Sequence, residues 1–144
     1  MIRTLIAILL AAAGLGVFAQ APKAGEIRVN VSGVSGGTGQ VGCALHASED
    51  TFPMGHNGVH MVWVRPKGER ATCVFKNVAA GTYAVAVSHD LNGNRKIDTN
   101  LFGLPKEAWG VSGNIRPALR APRFSEAVFV VARRPVELAV VVDK

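Results

Sequence analysis

Between positions 88 and 100 the chain reads SHDLNGNRKIDTN, and the oxygen-bearing side chains Asp90, Asn92, Asn94, Asp98 and Asn100 fall on alternate positions interrupted only by Lys96. Hard cations such as calcium take six to eight oxygens from carboxylates, amide oxygens, main-chain carbonyls and water. With Asp90 as the first ligand position, Asn92 and Asn94 are the third and fifth, the Lys96 carbonyl is the seventh and Asp98 the ninth, which is the first half of a calcium-loop spacing. The second half departs from it. Position six is Arg95 where such loops carry glycine, and position twelve is Leu101 where they carry a bidentate glutamate. A strand precedes the loop and no helical period follows, so an EF-hand is excluded. The nearest substitute acid is Glu107, provided that the Pro105-Lys106-Glu107 segment folds back. The alternative is a polar turn in which Asp and Asn side chains cap their own backbone amides and the neighbouring Lys and Arg neutralise the acids. Both readings remain open from sequence.

Two further clusters suggest other chemistry. Ser88, His89 and Asp90 have the residue types of a hydrolase triad, but consecutive strand residues point to opposite faces and cannot relay a proton among themselves. His89 is expected instead to hold the loop, through Tyr83 or a loop carbonyl. No nucleophile-elbow, paired-acid or zinc spacing occurs elsewhere, so no enzyme is expected, and a hydrolase dependent on His89 is the remote alternative. The stretch FPMGHNGVHM holds Met54, His56, His60 and Met61, thioether and imidazole donors that suit copper in an oxidising compartment. A strand starting at His60 would split that set across two faces. Copper handling is therefore the rival function.

These residues are placed by a chain of 144 amino acids, a length suited to one domain with a single core. Arg3, an apolar run of thirteen residues from Leu5 to Val17, and a small-residue exit predict a signal peptide over residues 1–19, cleaved after Ala19, with a single domain over residues 20–144. The run is short of a membrane-spanning helix, and no later segment comes closer. A periplasmic or secreted protein without a membrane span is expected. Loss of Arg3 with the signal leaves 15 basic and 10 acidic residues; this moderate excess, with few aromatics, argues against nucleic acid as partner. Arg116, Arg120 and Arg123 form the one loop cluster of cations. Export also changes the reading of Cys43 and Cys73, the only two cysteines. Each shares the alternation phase of core-facing neighbours, so a disulfide is expected rather than two buried thiols.

Downstream of the signal, hydrophobicity alternates with period two over short runs bounded by Gly, Pro, Asn and Asp. The expected strands are Glu26 to Val31, Gln40 to His46, His60 to Arg65, Ala71 to Asn77, Thr82 to Ser88, Ala127 to Ala132 and Val136 to Val142. Seven such strands predict an all-β fold, a seven-stranded antiparallel β-sandwich with one long ordered loop from His89 to Glu126. The last two strands, flanking Arg133-Arg134-Pro135, are read as a hairpin, and their continuous Val and Phe content as central burial. The loop at Ala47 to Val59 is read as a peripheral Gly-rich surface loop. Trp109 in the long loop implies that the segment packs on the sheets, with a binding face near Trp109 and Arg116.

The run NVAAGTYAVAVSHDLNGNRKIDTNLFGLPKEAWGVSGN, followed by APRFSEAVFVV, resembles a bacterial family of secreted proteins, the domain-of-unknown-function family twenty-one forty-one. The resemblance implies an exported β-sandwich similar to transthyretin-like and carboxypeptidase-regulatory-like modules, and it implies no activity; the sandwich expected overall is transthyretin-like or immunoglobulin-like. The function expected is that of an exported, monomeric, non-catalytic module with calcium bound by Asp90, Asn92, Asn94, Lys96, Asp98 and Glu107. Its partner would be a protein or glycan ligand outside the cytoplasm.

Overall fold

The computed structural model describes residues 25–102 and 105–144; the expected signal peptide and its cleavage point lie outside them. Eight strands alternate with turns: β1 Gly25–Ser32, β2 Gln40–His46, β3 His60–Val64, β4 Arg70–Val78, β5 Gly81–Asp90, β6 Trp109–Val111, β7 Phe129–Val131 and β8 Val136–Val141. A 3-10 turn at Ser112–Asn114 and a four-residue helix α1 at Phe124–Ala127 complete the list of elements. All seven expected strands are present, with bounds shifted by a residue or two. The eighth, β6, lies inside the expected long loop.

The strands form two sheets, one in the order β4-β1-β8 and the other β3-β2-β5-β6, with β7 paired to β5 beyond the end of β6. One core lies between them. It takes Ile27, Val29, Val31, Cys73, Phe75 and Val140 from the smaller sheet, and Val41, Cys43, Leu45, Val85 and Val87 from the larger. Burial of alternate residues on β1 and β4 follows from the period-two pattern, since successive side chains point to opposite faces. The expected bridge is formed: Cys43 on β2 and Cys73 on β4 are joined across the sheets, and no free cysteine remains.

The central strands β2 and β5 are buried on both faces. Their second face carries Ala44, Ala84 and Ala86, a floor of small side chains that with Val111 and Ala127 forms a second apolar cluster. Phe52, Val59, Ile115 and Phe124 pack against it, half-buried. The Ala47 to Val59 loop is therefore not peripheral as expected: its Phe52 is the cover of this face, packed edge-on against His46 and Phe124.

Three expectations about the C-terminal strands are corrected. The sheets are not wholly antiparallel, because β8 runs parallel to β1, from Ile27↔Val136 to Ser32↔Val141. β7 and β8 are not a hairpin, since β7 pairs with Gly81 to Tyr83 of β5 in the other sheet. Nor is β8 central; it is the edge of the smaller sheet. Its Val-rich run satisfies a different demand. The Asn114 side chain accepts from the Val141 amide (2.8 Å) and donates to the Ala139 carbonyl (3.2 Å), closing backbone groups that an edge strand leaves open. Beyond β8, Trp109 and Asp143 exchange two main-chain hydrogen bonds (2.9 and 3.1 Å), tying the C-terminal segment to β6 of the larger sheet. The expected strand start at Ala127 is the end of α1, where the Ser112 hydroxyl donates to the Ala127 carbonyl at 2.6 Å.

Candidate metal loop and its surroundings

The opening motif follows directly from β5, whose last residue, Asp90, is fully buried. Its carboxylate accepts the Gly93 amide at 2.8 Å and the Arg95 amide at 2.6 Å. Asn92 Oδ1 accepts the Asn94 amide (3.0 Å), and Asn94 Oδ1 accepts the Lys96 amide (2.8 Å). The side-chain oxygens at positions one, three and five thus bend the backbone around themselves in successive Asx turns. The turn needs a left-handed residue at position six. Arg95 supplies it with φ 57°, in the place where a glycine is usual. The departure seen in the sequence at position six therefore leaves the sharp turn intact.

Asp98 closes the loop from the other side. Asn92 Nδ2 donates to it at 2.7 Å, and Asn94 Nδ2 to both of its carboxylate oxygens at 3.1 Å. The chain then folds back through a Thr99↔Pro105 bridge and a 2.8 Å hydrogen bond from the Lys106 amide to the Asp98 carbonyl. This reversal brings Glu107 to the base of the loop, where its Oε1 accepts the Leu91 amide at 2.9 Å. Glu107 Oε2 is buried and has no hydrogen-bond partner. Asn100 Oδ1 accepts the Phe102 amide at 2.9 Å.

The cations expected to neutralise the acids do not do so. The ion pairs among the described residues are Arg28 with Glu26 and Glu137, and Arg120 with Glu126. Arg95 instead donates to Gln40 Oε1 (3.4 Å) and lies over the Trp63 ring, 5.9 Å from its centroid. Asp90, Asp98 and Glu107 have no Lys or Arg partner among the described residues. They do not converge as a cluster of three acidic, His or Cys side chains suited to a metal; no such cluster occurs among the described residues. An ion here would need the amide and main-chain oxygens as well as the acids.

His89 lies on the opposite face of β5 from Ser88 and Asp90, so the three do not form a relay. The expected anchoring partner is a carbonyl: His89 Nε2 donates to Thr38 O at 2.9 Å, fixing the loop base to the turn before β2, while Tyr83 donates to Ala79 O. The Met and His set is divided. His60 packs edge-to-face on Phe75, with centroids 5.2 Å apart, whereas His56 and Met61 lie with Trp63 along the outer side of the larger sheet. With His56→Ala and His60→Ala combined, folding is expected to stay within about 1.5 kcal/mol of wild type, the scale of one aromatic contact. Loss of a stoichiometric copper site on that change, read by titration with Cu(I), would establish the rival function.

Near Trp109, where a binding face is expected, Arg116 is exposed and Trp109 half-buried. Arg116 stacks on the indole at 4.4 Å and donates to the carbonyls of Trp109 and Asp143. Arg120 forks onto the Glu126 carboxylate (2.9 and 2.7 Å), and this bond, aided by the Arg123 amide, holds the Glu126 carboxyl down at about 2. His46 was not singled out by any sequence signal. It ends β2 fully buried, with Nδ1 on the Thr51 hydroxyl at 3.0 Å and Nε2 without a partner. Its position at the tail of an apolar alternating run was the available clue.

Two sheets on one disulfide-crossed core, with an acid- and amide-lined loop closing one end, define an all-β protein with a candidate oxygen-donor site. The family model for uncharacterized proteins conserved in bacteria, DUF2141, matches residues 29–139, from β1 into β8. The chain belongs to that family. No curated protein and no solved structure gives a significant match to it.

Proposed function

We propose that the protein is an exported, non-catalytic β-sandwich of the immunoglobulin or transthyretin kind, acting as a binding module in the periplasm or outside the cell. Its 90–107 loop holds one calcium ion as a structural element. The observation that carries this reading is the state of the acids. Asp90 and Glu107 are buried at the loop base, neither pairs with a cationic side chain among the described residues, and Glu107 Oε2 has no hydrogen-bond partner among them. A buried polar atom left unsatisfied costs ~1 to 3 kcal/mol, more if charged, and calls for a water or an ion. The Asx turns support the same reading, because each Asn Oδ1 that accepts one amide retains a second lone pair for a cation. Asp90, Asn92, Asn94, the Lys96 carbonyl, Asp98 and Glu107 would be the donors. Glu107 replaces the missing acid at position twelve.

With few charged ligands the affinity expected is weak, ~0.1 to 1 mM, as in extracellular modules. An ion that binds the native state alone stabilises it by RT ln(1 + [L]/Kd). At about ten times Kd this is ~1.4 kcal/mol, a melting shift of about 4 to 8 °C. Asp90→Ala or Asp98→Ala abolishes the calcium-dependent part, Glu107→Gln weakens it, and magnesium does much less because it demands tighter octahedral geometry. A purely polar turn behaves differently: the same substitutions destabilise equally in calcium and in chelator. Identical wild-type melting curves in millimolar calcium and in chelator would remove the ion from this proposal.

A further inference from the structure

At the end of the sheets opposite the metal loop, where β2 and β4 end and β3 and β5 begin, a cavity of about 380 Å³ opens toward solvent. This size falls in the range of small-molecule sites. Its floor is apolar and continuous with the core, since Leu45 of the larger sheet and Val78 of the smaller both line it and both are buried. Its rim is polar. Ser48, Asn57, His60 and Asn77 face it from the loop after β2, the start of β3 and the end of β4. Tyr83 and Thr51 complete the rim, but their hydroxyls are already engaged with Ala79 O and His46.

Two features of this lining select a ligand. No Lys, Arg, Asp or Glu among the described residues lines it, although the chain carries 26 such residues, so a charged ligand would find no counter-ion among them. Among the described residues, the side chains of Ser48, Asn57 and Asn77 engage no protein hydrogen-bond partner, and all three are exposed, which leaves their amide and hydroxyl groups open to a ligand at the rim. Asn77 is held there in a left-handed conformation, φ 57°, near the end of β4, where the pairing with β1 shifts register. A neutral molecule with one apolar face and several hydroxyls around its edge matches a hydrophobic floor and an amide-rich rim; that is the chemistry of a pyranose ring.

We infer that this inter-sheet cavity binds an uncharged sugar, with Leu45 and Val78 against an apolar ring face and Asn57, Asn77 and His60 hydrogen-bonding its hydroxyls. The inference rests on reading the chain as a binding module and is independent of the calcium loop. The test titrates the isotope-labelled protein with glucose, galactose, mannose and N-acetylglucosamine, following backbone amide shifts. Saturable shifts confined to residues around Asn57, His60 and Asn77 are expected with at least one of them, with Kd in the millimolar range typical of so small a ligand. Asn57→Ala weakens that affinity about fivefold, the worth of one hydrogen bond. Asn77→Gly does the same while keeping the left-handed backbone that glycine tolerates, and the melting temperature of each variant reports whether it has folded. Absence of saturable shifts with all four sugars overturns the inference, as do shifts centred elsewhere or undiminished affinity in folded Asn57→Ala. Equal binding of glucuronate overturns the uncharged class. A calcium-dependent melting shift that persists when no sugar binds would show that the sugar site alone has failed.

Discussion

Reduction of the Cys43–Cys73 bridge is expected to lower the unfolding free energy by ~3 to 4 kcal/mol, because the cross-link removes the closure entropy of a loop of about thirty residues from the unfolded chain. For a domain of this size that corresponds to a fall in melting temperature on the order of 10 to 20 °C. The bridge joins β2 to β4 and so ties one sheet to the other through the middle of the core, where both cysteines are fully buried. Paired Cys43→Ala and Cys73→Ala substitution should cost somewhat more than reduction, since it also leaves a cavity. Urea unfolding of oxidised, reduced and doubly substituted protein measures all three. Mass spectrometry of non-reduced material should find no titratable thiol. Oxidised and reduced forms within about 1 kcal/mol of each other would show that the bridge adds little to this fold, contrary to the entropy argument.

Acid is expected to destabilise the protein through His46. Burial, and secondarily the charge of nearby His56, lower its pKa from 6.5 to about 4. In the folded chain the imidazole is held neutral, whereas the unfolded chain protonates it near 6.5. The contribution to stability is therefore fully present above pH 6.5 and lost as the pH falls from there to about 4. Below that both states carry the proton and the loss stops. At ~1.4 kcal/mol per unit, the whole effect is roughly 3 kcal/mol. The physical reason is visible around the ring: Nδ1 meets the Thr51 hydroxyl, Phe52 stands edge-on at 5.4 Å, and Nε2 has no hydrogen-bond partner among the described residues to share a second proton. Chemical unfolding at pH 7.5, 5.5 and 4 in wild type and in His46→Gln isolates the effect as the difference between the two slopes. Parallel slopes would rule His46 out as the acid-sensitive group.

How much of the site was legible in the sequence differs by residue. Asp90, Asn92, Asn94 and Asp98 announce themselves through alternate spacing, because Asx turns are local and their geometry depends on neighbours two to five positions away. The role of Arg95 was not legible. A non-glycine residue is uncommon at positive φ, and here the side chains of Asp90 and Asn94 hold it there. Glu107 was legible only as the nearest available acid. Its arrival at Leu91 depends on a chain reversal made by the Thr99↔Pro105 bridge and the Asp98 carbonyl, contacts that no periodicity encodes. His46 escaped notice because a histidine in an alternating run says nothing of what lies over it.

The sequence by itself determined the all-β character, seven of the eight strands, the core phase of the two cysteines and the composition of the loop, since each follows from period-two burial or from turn chemistry over a few residues. The tertiary structure alone decided pairing. Whether Val136–Val141 folds back on Phe129–Val131 or crosses to lie parallel to β1 is set by which sheet edge offers free backbone groups and by Asn114, which closes the outer edge of β8. β6 was hidden for the same reason. Three residues, Trp-Gly-Val, carry too little alternation to read as a strand, and they become one because β5 presents Ala86 to Ser88 as an open edge beside them.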